Sequence, residues 1–457
     1  MNDESTICAI ATPSGQGAIA ILRLSGPKSK DICNKIFIPA KLKLSQYPAN
    51  SIIYGKIKDG QKIVDDVLVS LFKSPHSYTG EDVIEISCHC SVFIQQEILR
   101  LLLKYGARLA TPGEFTLRAF LNGKMDLSQA EAVTDLIVSS SAASHRLAMD
   151  QMRGGFSEEI TKLRNDLLHF ISLIELELDF SEEDVEFANR DTLKKLILKI
   201  QSKITVLIES FQLGNVLKNG VPVAIIGKPN VGKSSLLNVL LKEDKAIVSG
   251  IAGTTRDSIE DTISIGGILF RFIDTAGLRK PKDKIESMGI KRTYLKVQKA
   301  VIILLLVEPD ESETNLSTQI KMLKLRKDQH LAIVVNKIDK MKREVIFSSI
   351  SKEQPVIAIS AKQKKNINEI HDFLLTTINY NPDKKQDVII TNARHYDALV
   401  KTKEASILVL NGIKHQISKD FVVMDIRAML DNLGEISGQI TNDEILENIF
   451  SRFCIGK

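Results

Sequence analysis

Three textures of apolar and polar positions follow one another along the chain. Up to about Asn122 the pattern is strand-like: residues 18–24 (AIAILRL), 50–57 (NSIIYGKI) and 66–72 (DVLVSLF) alternate or run apolar over strand lengths, and Asp59-Gly60 supplies a hairpin turn. A helix is expected from about Ser91 to Tyr105, which makes this part α+β. From about Leu127 to Lys218 the period lengthens. Ile160, Leu163, Leu167, Ile171, Ile174 and Leu178 recur at three- and four-residue steps, the mark of an amphipathic helix. At Val221 the texture changes again. Residues 221–227, 268–275, 300–307, 331–336 and 355–360 are short apolar runs separated by helix-length polar segments, as in a parallel sheet covered on both faces. After Asn381-Pro382-Asp383 the helical spacing returns, as in residues 421–430. The fold class expected is therefore multidomain α/β: an α+β N-terminal domain, an α-helical domain and an inserted α/β domain. The expected boundaries are 1–122, 123–218 for the first helical half, 219–380 for the insertion, and 381–457 for the second helical half.

Composition narrows the class without changing that picture. At roughly 100–200 residues per domain, 457 residues make about three domains. Hydrophobic residues at 44% and charged residues at 26% exclude disorder and a disulfide-stapled miniprotein. The charge balance, 61 − 56 = +5, permits nucleic acid as a partner but does not argue for it. The acidic, polar opening is unlike a secretory signal. The longest strongly apolar run, Ala300 to Val307, is far short of the roughly 20 residues that span a bilayer. Five cysteines (Cys8, Cys33, Cys88, Cys90 and Cys454) do not suggest a disulfide framework. These features predict a reduced, soluble, cytoplasmic protein with no membrane partner.

The chemistry is concentrated in four segments of the α/β part. Gly227-Lys228-Pro229-Asn230-Val231-Gly232-Lys233-Ser234 fits the phosphate-loop pattern G-x-x-x-x-G-K-[ST], after an expected strand and before a helical stretch from Ser235 to Leu241. Its glycines let backbone N–H groups curl around phosphates, and the helix N-terminus adds its positive end. Lys233 meets the β- and γ-phosphates, and the Ser234 hydroxyl can ligate Mg²⁺. Asp274-Thr275-Ala276-Gly277 ends a strand, where a carboxylate can hold Mg²⁺ through water and a glycine can sense the γ-phosphate. Asn336-Lys337-Ile338-Asp339 ends another, where a carboxylate can accept two hydrogen bonds from the guanine edge. Ser360-Ala361-Lys362 follows the next strand and can cover the guanine carbonyl with an N–H. Each segment alone could be a plain surface turn. Together and in this order, at strand ends, they specify GTP.

Many GTPases orient the attacking water with a glutamine after the D-x-x-G glycine. Leu278 occupies that position here. Arg256 or Arg279 as a cis arginine, Glu286 as the water-positioning group, and Asn230 as a ligand of a monovalent cation are the candidate replacements. The loop Ser249-Gly250-Ile251-Ala252-Gly253-Thr254-Thr255 serves the same site, with Thr255 as the expected second protein ligand of Mg²⁺.

On residues 11–26 (ATPSGQGAIAILRLSG), 77–89 (SYTGEDVIEISCH), 111–137 (TPGEFTLRAFLNGKMDLSQAEAVTDLI), 250–257 (GIAGTTRD), 274–279 (DTAGLR) and the terminal FCIGK (453–457), the chain resembles the MnmE/TrmE tRNA-modification GTPases over almost its whole length. The resemblance implies an N-terminal folate-binding and dimerisation domain, a helical domain and an inserted G domain. It also implies K⁺-activated hydrolysis, with Asn230, Ser249, Ile251 and Thr254 around K⁺ and Glu286 positioning the water. A cofactor such as 5-formyltetrahydrofolate or 5,10-methylenetetrahydrofolate would lie against Arg23, Glu85, Lys124 and Lys457. The implied partners are a second copy of the chain, the FAD-dependent subunit called MnmG or GidA in a heterotetramer, and tRNA carrying a wobble uridine.

From spacing alone the four folate positions would read as surface charges. Cys454 invites a thiol role through FCIGK, against the plainer reading of a buried cysteine at a helix end. Cys88-His89-Cys90 hints at metal, but a strand would put the two thiols on one face and the imidazole on the other, and no second ligand pair follows. The acidic run Glu182-Glu183-Asp184 reads as a solvated face.

Overall fold

The computed structural model describes residues 5–13, 15–42, 44–179, 190–243, 261–273, 296–340, 353–378, 388–441 and 443–457. Contacts divide the chain into two compact units. One holds residues 1–134, 151–197 and 404–457, the other residues 135–150 and 198–403.

The first unit is built on a seven-stranded sheet of β1 (Ile7–Ile10), β2 (Ile19–Ser25), β3 (Phe37–Pro39), β4 (Ser51–Asp59), β5 (Lys62–Phe72), β6 (Val83–His89) and β7 (Arg108–Leu109), in the order β3-β4-β5-β6-β2-β1-β7. All pairs are antiparallel except β1 with β7. The expected hairpin turn at Asp59-Gly60 joins β4 to β5. Period-2 patterning sends Ile53, Ile57, Val67, Val69 and Leu71 inward, where α1 (Ser29–Ile36) and α2 (Val92–Lys104) cover them with Ile32, Ile36, Ile98 and Leu101. The helix expected over 91–105 is thus α2. The opposite sheet face leaves Ile52, Tyr54 and Leu68 exposed, with Tyr54 directly across from Leu68.

Next in the chain come α3 (Glu114–Leu121), α4 (Leu127–Val138), α5 (Ala142–Met152), α6 (Gly155–Asp179) and α7 (Arg190–Asn219). The first unit takes α3, α6 and the starts of α4 and α7; the second takes nearly all of α5 and the rest of α7. The stripe Ile160, Leu163, Leu167, Ile171 and Ile174 is buried along α6.

The second unit holds a six-stranded sheet of β8 (Val221–Gly227), β9 (Asp261–Ile265), β10 (Ile268–Phe272), β11 (Ile302–Val307), β12 (His330–Val335) and β13 (Val356–Ala358), in the order β13-β12-β11-β8-β10-β9. Only β9 runs antiparallel. β11 is buried along its whole length, as expected for a strand covered on both faces. One face packs on α8 (Lys233–Glu243) and α10 (Ile367–Ile378) through Leu236, Leu240, Ile370 and Leu374. The other packs on α9 (Glu313–Leu323) through Leu316. β13 stops at Ala358, short of the expected residue 360, because Ser360 leaves the sheet to bridge antiparallel to Lys365. Helical texture resumes in α11 (Ala393–Lys414), α12 (Lys419–Ser437), which packs along α6, and α13 (Asp443–Phe450).

Candidate functional site

The phosphate-loop segment leaves β8 at Gly227 and enters α8 at Lys233, at the carboxyl ends of the parallel strands. Gly232 has φ +101°, and a Cβ there would stand 2.2 Å from the Asn336 side-chain nitrogen, so only glycine fits. Asn230 also adopts a left-handed conformation, φ 62°. The Lys233 ammonium folds over the loop and donates to the carbonyls of Gly227 (2.7 Å) and Lys228 (2.6 Å). Burial and then the nearby Lys296 charge hold it below the usual lysine range, which makes an arriving phosphate a welcome counter-charge.

Asn336, 3% exposed, ties this loop to the base-recognition segments. Its Nδ2 donates to the Val231 carbonyl (2.8 Å), and its Oδ1 accepts from the Ala361 N–H (3.0 Å). The Ser360 hydroxyl donates to Asp339 at 2.5 Å, and that bond holds the exposed Asp339 carboxyl below the usual carboxylate range. The segments expected to hold phosphate and guanine therefore meet around one buried amide. Two braces went unread in the sequence: Glu308, just past β11, pairs with Lys337, and Glu311 pairs with Lys228 at 2.6 Å. Glutamates in a polar turn carry no signal of which lysine they will meet.

Ser249 to Thr255, Arg256, Asp274 to Gly277, Leu278, Arg279 and Glu286 lie outside the described residues, as do Glu182-Glu183-Asp184 and Asn381-Pro382-Asp383.

In the first unit, register places Arg23 of β2 directly across from Glu85 of β6. Arg23 Nε and Nη2 both meet Glu85 Oε1 at 2.8 Å, and Nη1 donates to the Gly456 carbonyl at 3.3 Å. The rings of Tyr78 and Phe115 lie 5.5 and 5.6 Å from the guanidinium. The Lys457 ammonium is held below its usual range, chiefly by burial and next by Arg23, while Glu85 and Cys454 pull the other way. Three of the four folate candidates are thus neighbours. Lys124 stands apart from that pairing: its ammonium donates to the Pro75 carbonyl at 3.0 Å, on the loop that carries Tyr78.

One cysteine expectation changes. Cys454 is exposed and lies beyond the end of α13, so the buried helix-end reading is wrong: Phe453 turns inward and its neighbour outward. In the Cys88-His89-Cys90 segment, Asp65 engages His89 Nδ1 at 2.7 Å, and burial pushes the Cys88 thiol up to about 11. Among the described residues no group of three or more His, Cys, Asp or Glu is placed to hold a metal ion. Among them, too, no helix is long and apolar enough to cross a membrane.

Comparison with known proteins bears on the whole chain. The family model described as the MnmE helical domain matches residues 127–454, and the one described as the GTP-binding protein TrmE N-terminus matches residues 6–124. The chain is 54% identical to a tRNA modification GTPase MnmE of Cytophaga hutchinsonii, covering 100% of this chain and 98% of that protein. It is 53% identical to the Bacteroides thetaiotaomicron protein of that name and 51% to that of Christiangramia forsetii, with 100% of both partners covered in each case. The chain therefore belongs to the MnmE/TrmE family of tRNA modification GTPases.

Proposed function

We propose that this chain is the K⁺-activated, GTP-hydrolysing subunit of an enzyme that builds a carboxymethylaminomethyl- or aminomethyl-type group at C5 of the wobble uridine, U34, of certain tRNAs. The observation that carries the reading is full-length likeness at 51–54% identity to tRNA modification GTPases. Residues 219–380 act as the G domain, inserted between helical halves 123–218 and 381–457, and residues 1–122 as the folate and dimerisation domain.

In the nucleotide site, the N–H groups of residues 230–235 cradle the phosphates and Lys233 neutralises them. Asp339 selects guanine by accepting from its N1 and N2 edge, with Asn336, Lys337, Ser360 and Ala361 holding the base loops. Ser234 and Thr255 would hold Mg²⁺, which when bound offsets charge on the phosphate oxygens. Asn230 with Ser249, Ile251 and Thr254 would hold K⁺, and Glu286 would orient the water; Asp274 to Gly277 would sense the γ-phosphate. GTP would close the paired G domains and hydrolysis would release them, an order–disorder switch coupled to the folate-bearing centre.

In the folate site, Glu85 has Oε2 left for a pterin N–H, and Arg23 has spent three of its five donors. Lys124 and Lys457 would meet the glutamate carboxylates, and a formyl- or methylene-tetrahydrofolate would supply the one-carbon unit. The uncovered apolar face at Ile52, Tyr54 and Leu68 supports a homodimer through this sheet. The flavin-dependent MnmG/GidA subunit completes the proposed complex, in the cytoplasm where its tRNA is found.

The deciding experiment is nucleoside mass spectrometry of total tRNA from a bacterium lacking its own homologue. That strain would carry this gene or its Lys233→Ala form, together with the cognate flavoprotein. Restoration of 5-substituted wobble uridines by the wild type alone is expected. No restoration by a GTP-hydrolysing wild type would favour the rival reading, a regulatory GTPase that binds tRNA or ribosomal surfaces without modifying them. The cation claim has its own test. GTP hydrolysis should run much faster in KCl than in NaCl at equal ionic strength, and equal rates would return attention to Arg256 and Arg279.

A further inference from the structure

The last five residues are held at two points. Phe453 is buried among Leu127, Ala130 and Phe450, its ring 5.2 Å from that of Phe450. Three residues on, Gly456 is buried against the end of β1, where a Cβ would stand 2.6 Å from the Ile10 carbonyl oxygen. Between these anchors the Lys457 N–H reaches the Cys454 carbonyl at 3.3 Å, closing a turn whose third residue, Gly456, has φ +98°. A type II turn demands glycine there. The strand arginine completes the seat: Arg23, itself fixed by Glu85 and flanked by Tyr78 and Phe115, donates to the Gly456 carbonyl. Cys454 and Ile455 are left exposed at the crest of the turn.

We infer that Arg23 is a positioning residue: by holding the Gly456 carbonyl it docks the C-terminal tail, and with it Cys454, against the N-terminal sheet. This role is separate from any contact Arg23 makes to folate. It is internal to the chain. Glu85 sets the guanidinium orientation, Arg23 supplies the charge-assisted donor, and Gly456 supplies both the carbonyl and the only backbone that fits.

The test follows removal of Lys457 from the full-length protein by carboxypeptidase B, read as intact mass, and needs no nucleotide, folate or tRNA. Arg23→Ala is expected to release Lys457 about tenfold faster than wild type, the factor for losing one charge-assisted hydrogen bond. Arg23→Lys, which keeps a donor, should fall between the two. Gly456→Ala, whose methyl would meet the Ile10 carbonyl and lift the tail, should match Arg23→Ala once each rate is divided by that of a free peptide with the same last residues. The double variant should be no faster than the faster single one. A wild-type rate in Arg23→Ala overturns the inference; should that variant fail to fold, a wild-type rate in Gly456→Ala overturns it instead. The consequence for catalysis rests on the proposed modification activity and is read separately. Gly456→Ala should lower kcat for tRNA modification while leaving GTP hydrolysis and the KM for tRNA unchanged, and an unchanged kcat would refute the link to Cys454. Loss of the modification reading alone would leave the protease result standing.

Discussion

Between Gly227 and Ser234 the phosphate loop is one contiguous stretch whose working groups are mostly backbone, whereas Arg23, Glu85 and Gly456 are drawn from three distant places in the chain. The first needs only glycines at the turns, a lysine and a following helix, so eight letters carry it. The second needs a sheet register that faces β2 against β6 and a tail that returns to β1. Local geometry is written in residue type and spacing; long-range geometry is written in the fold. The two sites should therefore fail differently: the loop at single residues, the arginine site through any element that aligns it.

The largest effect is expected at Lys233. Its ammonium is already partly stripped of water and, among the described residues, donates to two loop carbonyls, bonds that the proposed phosphate contact would replace. Lys233→Ala should lower GTP hydrolysis by about 10²–10³-fold, the loss seen on removing one preorganised charge-stabilising donor. Phosphate release under saturating GTP measures it, and a loss below tenfold would show that backbone N–H groups alone suffice.

Next comes Glu114, in the distributed region. It bridges Arg108 (2.6 Å) and Arg118 (3.1 Å) and accepts from the Thr111 N–H (2.9 Å), and so fixes the start of α3 and with it Phe115 beside Arg23. Burial alone would push its carboxyl up, but the bonds from Arg108, Thr111 and Arg118 outweigh that and hold it low. A depressed carboxylate gives stability that is full above its unfolded pKa, about 4.3, and is lost as pH falls through the lower folded value. Glu114→Gln should cost about 3 kcal/mol at neutral pH, since Arg118 keeps only Glu81, and should flatten the acid limb of the stability curve. Chemical denaturation from pH 3 to 7 would check both; an unchanged acid limb would make the network inert.

The sequence disclosed elements wherever one period ran long enough. The strands at 19–25, 221–227 and 302–307, helix α2 and the buried stripe of α6 follow from alternation, short apolar runs or three-and-four spacing. Asn336 could be named from its tetrapeptide, but its grip on Val231 and Ala361 could not, because a buried amide's partners depend on how three strand ends converge. Cys454 went astray for the same reason. A cysteine after an apolar helix is usually buried, yet the turn that Gly456 closes faces it outward.

Asp339 tests base recognition at a smaller scale. Asp339→Asn replaces the proposed acceptor of two guanine N–H groups with an amide that can accept only once without repulsion. GTP affinity should fall about thirtyfold, the usual worth of a hydrogen bond to a charged group. Titration with a fluorescent GTP analogue measures it, and equal affinity would move guanine selection to another residue.

Ser360→Ala should have the smallest effect and the most informative one. The hydroxyl orients Asp339, keeps its carboxyl ionised to lower pH and accepts from the Gln363 N–H at 3.2 Å. Near neutral pH both proteins carry the carboxylate, and an exposed carboxylate regains most of the lost bond from water, so the loss should be only about two- to fivefold. Because a low pKa keeps guanine binding intact until the pH falls through it, removing the hydroxyl should move the acid loss of GTP affinity to higher pH. Titrations at a few pH values between 4 and 7 would separate the possibilities. A uniform loss with no shift means that Ser360 only aims the carboxylate. A shifted acid limb means that it also tunes it, which would make even this written-out motif depend on a residue beyond the next strand.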